Sequence, residues 1–219
     1  MGHPVVTSVN LAAAVSTGIA TSQSLPGAKG LSVNLNGSLV TGGAAVLDAP
    51  RRVIIASAGN DSGITFTVTG TRGSWWASTA ISETITGGNI ATVATTQDFL
   101  TVTSIVASGA TASTITAGTN GTGSGPWVVW DQYATDFQVS LIGYILSGTP
   151  TWGVEYTYDD VFGLWLPSNV PFPRAVTFNL MTGLTTSGVD GILTSPVRAS
   201  RLTLTAVGSV QLTSTQQGI

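Results

Sequence analysis

The chain has 219 residues, of which only 7 are Lys or Arg and 10 are Asp or Glu, so its formal net charge is −3. The charged fraction is 8 %, against ~25 % in ordinary soluble domains, and the few basic residues form no stripe that could bind nucleic acid. Because cysteine is absent, the sequence excludes a disulfide framework, a thiolate nucleophile and a thiolate zinc site. The uncharged, hydroxyl-rich surface that this composition requires favours packing against other copies of the chain.

Residues 1–49 are rich in Ala, Ser, Asn and Gly, and we predict that they form an extended N-terminal arm with peripheral strands. The one fair helix candidate is Leu11–Ala20, where three consecutive alanines favour a helix but Thr17 and Gly18 do not; a flexible arm is the alternative. The start of the chain lacks a basic stretch followed by an apolar stretch, and no apolar run reaches the ~18–20 residues of a membrane helix. We therefore expect a cytosolic origin and no membrane partner.

Alternating patterns predict half-buried β-strands along most of the chain. Apolar and polar side chains alternate with a period of two in four segments: Leu31–Leu35, Ile64–Thr69, Ile81–Ile85 and Leu202–Thr205. Turn signals rich in Gly, Asn and Ser separate such runs at roughly the 8–12-residue spacing of sandwiches and barrels. We therefore predict an all-β fold with a β-sandwich domain over residues 50–219. A jelly roll is one form that this sandwich could take.

Three later segments lead to local predictions. The glycine-rich stretch Gly118–Pro126 is predicted to be a plain inter-strand loop, because a phosphate cradle would need a helix after it and the residues that follow read as a strand. Residues 161–175 contain three prolines among aromatics and are predicted to form an ordered loop without regular structure. Residues 196–213 are predicted to form a closing hairpin that turns at Gly208.

Catalytic chemistry finds little support in the residue types. The only histidine, His3, lies close to the chain start, so a Ser-His-Asp triad has no credible base. The acids with a bearing on paired-carboxylate chemistry are Asp131, Asp136, Glu155, Asp159 and Asp160. We interpret them mainly as turn residues. A calcium site at Asp159 and Asp160 is a minor alternative, because one such turn rarely supplies six oxygens. We expect no enzyme activity, no cofactor and no metal.

Aromatic residues are concentrated between residues 127 and 158, and we assign them mainly to the core. This group consists of Trp127, Trp130, Tyr133, Phe137, Tyr144, Trp152, Tyr156 and Tyr158. Trp75 and Trp76 are different, because they lie between two predicted strands and adjacent strand residues cannot both enter one core. One of them is a candidate interface anchor, since Trp is enriched at interface hot spots. The same argument applies more weakly to Trp165 and Phe172.

Six segments between about residues 50 and 213 carry a further signal: Arg52–Thr71, Ile81–Asn89, Thr95–Ile105, Ala117–Ser124, Val154–Asp160 and Ser195–Leu204. Together they resemble a β-rich structural protein encoded among the virion genes of many tailed bacteriophages. These motifs are structural rather than catalytic, so no enzyme residues come with them. The resemblance implies a component of a virus particle.

This resemblance and the composition lead to one leading hypothesis, a capsid decoration or cement protein. Such a homo-oligomer would bind the major capsid protein on the outer head surface, in a virion assembled in the cytoplasm of the host bacterium. A structural protein of the tail or of the head-to-tail connector or collar is the first alternative. A glycan-binding module for adhesion to the host surface is the second, in which exposed Trp75, Trp76 or Trp165 would stack on sugar rings.

Overall fold

A computed structural model of the protein describes residues 4–27, 30–73, 79–159, 161 and 177–217. In these residues the chain forms 17 β-strands and no helix. The strands are β1 (Val5–Leu11), β2 (Ala20–Gln23), β3 (Leu31–Ser32), β4 (Val40–Thr41), β5 (Ala44–Ser57), β6 (Thr65–Arg72), β7 (Thr79–Thr86), β8 (Thr92–Ala94), β9 (Phe99–Ala107), β10 (Ile115–Ser124), β11 (Val128–Val129), β12 (Gln138–Gly148), β13 (Thr151–Thr157), β14 (Phe178–Leu184), β15 (Val189–Leu193), β16 (Ala199–Thr205) and β17 (Gly208–Gln217).

The strands pair into two antiparallel sheets, one of four strands and one of 13. The prediction of an all-β, sandwich-like fold is therefore confirmed; its jelly-roll form stays a prediction. The chain divides into two compact units. We call the described residues up to Ala13 and from Gly121 onward the terminal unit, and the described residues between Ala14 and Asn120 the central unit. The predicted boundary at residue 49 differs from this division, because it falls inside β5.

The central unit is built on the sheet order β10-β5-β9-β6-β7, with β2 paired to β10, β3 to β9, and β4 and β8 to β5. Its core consists of the buried apolar side chains on one face of these strands, among them Val53, Phe66, Val68 and Ile105. The segment before residue 49 also contributes, since Ile19, Leu25, Val33 and Ala45 belong to the same cluster.

The candidate helix at Leu11–Ala20 is not formed, because the chain there lies along β10 instead. Thr119 N donates to Val15 O at 3.0 Å, and Val15 N donates to the Thr119 hydroxyl at 3.1 Å. These bonds satisfy the backbone of the segment without a helix. The arm that precedes it is the edge strand β1, which pairs with β17 over Val5–Leu11.

The prediction of a loop at Gly118–Pro126 is wrong, because β10 continues to Ser124. At Gly118 the glycine is required by the close approach of another backbone. A Cβ on Gly118 would lie 2.1 Å from the carbonyl oxygen of Val15, so only glycine lets the two backbones approach. Without a side chain that could show alternation, such a strand resembles a loop in sequence.

The terminal unit contains the four-stranded sheet β1-β17-β12-β15 and, in the larger sheet, the order β14-β13-β16-β10, with β11 paired to β16. The prediction of a closing hairpin over residues 196–213 is wrong, because β16 and β17 belong to different sheets. Ala206, with a φ of 66°, lies in the short connection that takes the chain from one sheet to the other. The two residues Ala206 and Val207 therefore connect two sheets here, where the sequence suggested a turn within one.

The assignment of the aromatic residues to the core holds only for the tryptophans. Trp127, Trp130 and Trp152 are buried, whereas Tyr133 is 86 % exposed and Tyr158 is 51 % exposed. Tyr144 is exposed as well. A tyrosine can leave its hydroxyl and much of its ring in water at a modest cost, so aromatic density alone does not locate a core.

Trp152 fills the interior of the terminal unit opposite a glycine. A Cβ on Gly143 of β12 would lie 2.1 Å from Cη2 of the Trp152 ring, which belongs to β13. The indole nitrogen donates to the carbonyl oxygen of Thr186 at 3.0 Å, so burial leaves no unpaired donor. The Trp152 ring therefore occupies the space that a side chain at position 143 would need.

We expect Gly143→Ala to destabilise the protein, because its methyl group would overlap the Trp152 ring and force a backbone or rotamer shift. Overpacking of this kind costs about 1–3 kcal/mol. Gly121→Ala, also in a strand of the terminal unit but with open space around its Cβ, is the matched control and should change stability by less than about 0.5 kcal/mol. Equal urea midpoints for the two variants would contradict the packing described here.

Candidate functional site

The four residues predicted as interface candidates, Trp75, Trp76, Trp165 and Phe172, lie outside the described residues. The strands on either side of the tryptophan pair are described. Arg72, the last residue of β6, pairs with Thr79, the first of β7, in an antiparallel register. Trp75 and Trp76 therefore stand in sequence between two paired strands, and their role as anchors stays a prediction.

The outer face of β6, β7 and β9 in the central unit is covered mainly by hydroxyl side chains, with Ala80 and Val106 among them. We call it the hydroxyl face; it consists of Thr65, Thr67, Thr69, Thr71, Ser82, Thr84, Thr86, Thr101, Thr103 and Ser104. Along β6 these threonines alternate with the buried Phe66 and Val68, so they point away from the core. The register places Thr84 opposite Thr67 and Ser82 opposite Thr69. The result is an ordered array rather than a scatter of polar residues.

Hydrogen bonds across the strands fix the side chains of the hydroxyl face. The hydroxyl oxygens are 2.9 Å apart in the pair Thr67–Thr84, 3.3 Å in Thr69–Ser82 and 2.7 Å in Thr71–Thr101. Each hydroxyl has one proton to donate and two lone pairs, so a paired hydroxyl keeps capacity for a further partner. Neighbouring hydroxyls repeat at roughly 4.8 Å between strands and about 6.7 Å along a strand.

The one acidic residue of β7 points away from the hydroxyl face. Glu83 lies on the same strand face as the buried Ile81 and Ile85, and its carboxylate accepts hydrogen bonds from the backbone N–H groups of Thr96 and Gln97, each at 2.8 Å. This inward carboxylate caps a turn and protects the end strand of the sheet from pairing with another chain. The hydroxyl face therefore carries no acidic or basic side chain.

A buried ion pair lies in the terminal unit. Glu155 of β13 and Arg201 of β16 are direct cross-strand partners, and the Glu155 carboxylate accepts from Nε and Nη2 of Arg201 at 3.0 and 2.9 Å. The guanidinium also donates to the Ser124 hydroxyl at 3.1 Å and stands 4.6 Å from the centre of the Trp127 ring. Such saturation by fixed partners indicates a structural group rather than a catalytic acid.

The other acids do not form a site. Asp131 accepts a hydrogen bond from the backbone N–H of Tyr133 at 3.0 Å, which confirms its interpretation as a turn residue. Glu155 departs from that interpretation, because it is the strand residue of the ion pair above. Across the described residues, no three metal-ligating side chains come together. Asp160 of the calcium alternative lies outside them, as does His3. The described part of the chain also has no helix long and apolar enough to cross a membrane.

Comparison with known proteins gives no family for this chain. No protein-family model matches the sequence, and no curated protein matches it. Among solved structures, a chain from the structure of infectious bursal disease virus, Gt strain, aligns with a TM-score of 0.20 and 10 % identity, over 99 % of this chain and 70 % of that one. A similarity this low carries no argument about fold or function.

We expect Glu155→Gln to lower the free energy of unfolding by about 3 kcal/mol, because it leaves a guanidinium whose side chain is only 9 % exposed without its counter-charge. Asp190→Asn, at an exposed position of β15 in the same unit, removes the same charge from the surface and should cost less than about 0.5 kcal/mol. Urea denaturation measures both. If the two variants lost equal stability, the ion pair would not have the structural role assigned to it.

Proposed function

We propose that this protein is a structural component of a tailed-bacteriophage particle, and that it decorates the outer surface of the head and stabilises the assembled shell. The observation that carries the proposal is the hydroxyl face, a regular and uncharged surface formed by three strands of the central unit. The sequence resemblance to a β-rich phage virion protein supports the same class of function.

The chemistry of the hydroxyl face suits a contact between proteins. Charged side chains are depleted at the centres of protein interfaces, because their desolvation is costly. Threonine and serine hydroxyls both donate and accept, so they can pair with backbone or side-chain groups of either kind. Cross-strand bonds such as Thr67–Thr84 already restrict their rotamers, which lowers the entropy lost on binding.

A decoration protein of this kind would act by thermodynamic linkage. A molecule that binds the assembled shell but not its free subunits stabilises the shell by about 2.7 kcal/mol per site when its free concentration is 100 times its dissociation constant. Because the proposed contact has few charges, its strength should depend little on ionic strength. The partners in this proposal are the major capsid protein and further copies of the chain.

The position of the protein on the particle tests the proposal against its first alternative. We expect cryo-electron microscopy of purified particles to locate copies over the whole icosahedral shell, with the hydroxyl face toward the capsid. Density confined to one vertex or to the tail would instead favour a connector, collar or tail protein. Absence of the protein from the particles would refute a virion role altogether.

Attachment of purified protein to undecorated heads tests the face itself. We expect Ser82→Lys to reduce the bound copies at least tenfold, because a lysine in the hydroxyl face would have to be desolvated without a partner. The matched control, Ser8→Lys, makes the same change at an exposed position of β1 in the terminal unit. Both variants should keep the parent urea midpoint. Undiminished attachment of Ser82→Lys, or equal loss in the control, would exclude the hydroxyl face as the contact.

A further inference from the structure

Three aromatic rings of the terminal unit form an exposed corner where β13 ends and β14 begins. Tyr156 and Phe178 are direct cross-strand partners, and their rings stack with centroids 5.5 Å apart and planes 24° apart. The Tyr158 ring stands nearly upright on this pair, at 86° to Tyr156 and 70° to Phe178. We call these three rings the aromatic corner; they present two aromatic surfaces that meet almost at a right angle.

The aromatic corner is held in place without being buried. Tyr158 is 51 % exposed and Phe178 is 44 % exposed, although stacked and edge-to-face rings restrict one another's rotamers. A core cluster of the same residues would be buried, as Trp127 is with Val161 and Ala199 in this unit. Rigid, half-exposed aromatic rings lose little entropy when a ligand covers them.

A shallow cavity of about 120 Å³ adjoins the corner. Tyr156 and Tyr158 form one side of it, and Leu180 and Leu193 contribute apolar walls. Thr194 and Ser195, both with exposed side chains, supply hydroxyl groups at the rim. The cavity therefore combines aromatic and aliphatic surface with a few neutral hydrogen-bonding groups, as small-molecule sites do.

The charge of the lining restricts the ligand. None of the residues that line the cavity is charged, so an anionic ligand would lose its hydration without gaining a counter-charge. The hydroxyls of Thr194 and Ser195 would be left unpaired by a purely apolar ligand. A neutral pyranose satisfies both conditions, because its C–H face can lie on an aromatic ring while its hydroxyls bond to the rim.

We propose that the aromatic corner and its cavity bind a neutral saccharide, with one sugar ring stacked on the corner and its hydroxyls bonded at Thr194, Ser195 and the tyrosine phenols. This inference is independent of the proposed particle role, because the site lies in the terminal unit and involves none of the residues of the hydroxyl face. It uses residues that are described, unlike the tryptophans that the sequence suggested for such a site.

An array of neutral oligosaccharides built from hexoses and N-acetylhexosamines, probed with the full-length protein, tests the proposal. The best-bound oligosaccharide is then titrated by calorimetry. We expect Tyr158→Ala to weaken binding at least tenfold and Tyr158→Phe to keep most of it, because the phenyl ring still stacks. Thr194→Val should weaken binding severalfold through the lost hydroxyl. Tyr133→Ala, at a tyrosine that is 86 % exposed elsewhere in the unit, is the control and should bind as the parent does.

The urea midpoints of these variants separate ligand binding from folding, and Thr194→Val keeps the test valid even if Tyr158→Ala unfolds. Binding of no array member at millimolar concentration would overturn the proposal, as would equal weakening in Tyr133→Ala. Self-association of the parent that Tyr158→Ala abolishes, without any saccharide bound, would instead assign the corner to a contact between copies. Each of these outcomes is read on the isolated protein, so it is distinct from failure of particle attachment.

Discussion

With 7 basic and 10 acidic residues in 219, the chain has to satisfy the polar groups of its strand faces and turns almost entirely with hydroxyls and amides. Side-chain amides do this by making the pair of hydrogen bonds that the backbone of a neighbouring strand would make. Gln23 donates to the carbonyl oxygen of Asn34 and accepts from its N–H, both at 2.9 Å. Gln216 makes the same pair of bonds with the backbone of Asp131. Both arrangements saturate the backbone of an irregular segment without adding charge.

Two arginines, one in each unit, are buried and paired with a carboxylate. In the central unit, Arg51 is 1 % exposed, pairs with Asp48 at 2.5 Å and donates to the carbonyl oxygen of Asn120 at 3.2 Å. In the terminal unit, Arg201 is likewise buried and pairs with Glu155. Charges used in this way hold strands together but contribute little field at the surface. Weak surface fields remove the like-charge repulsion that keeps many proteins apart, so close association of copies meets little electrostatic resistance.

The sequence predicted strands wherever alternation was visible, and it failed where the deciding contact was distant. Ile64–Thr69 alternates throughout and Ile81–Ile85 alternates apart from Glu83, and Thr65–Thr69 and Ile81–Ile85 lie in paired strands. The strand at Gly118 was missed because this glycine is required by the close approach of the Val15 backbone. Val15 lies about a hundred positions earlier, so the residues around Gly118 do not reveal the contact. The connection from β16 to β17 was misinterpreted because it is as short as a hairpin turn, and its length does not show whether the next strand pairs in the same sheet.

The candidate sites, too, depend on strand pairing that the local sequence pattern does not predict. The hydroxyls on one face of β6 can be predicted from the period of two, but their pairing with Ser82 and Thr101 depends on the registers of β6 with β7 and with β9, which the local pattern does not show. Tyr156 and Tyr158 belong to the span rich in aromatic residues, and that density suggested a core. They lie on the strand face opposite the buried Thr157, beside Phe178 of β14, and only the strand pairing shows this. Both the hydroxyl face and the aromatic corner are therefore formed by the pairing of strands. Neither surface carries a charged side chain, so we expect any partner of the hydroxyl face and any ligand of the aromatic corner to be selected by shape and by hydrogen bonding rather than by charge.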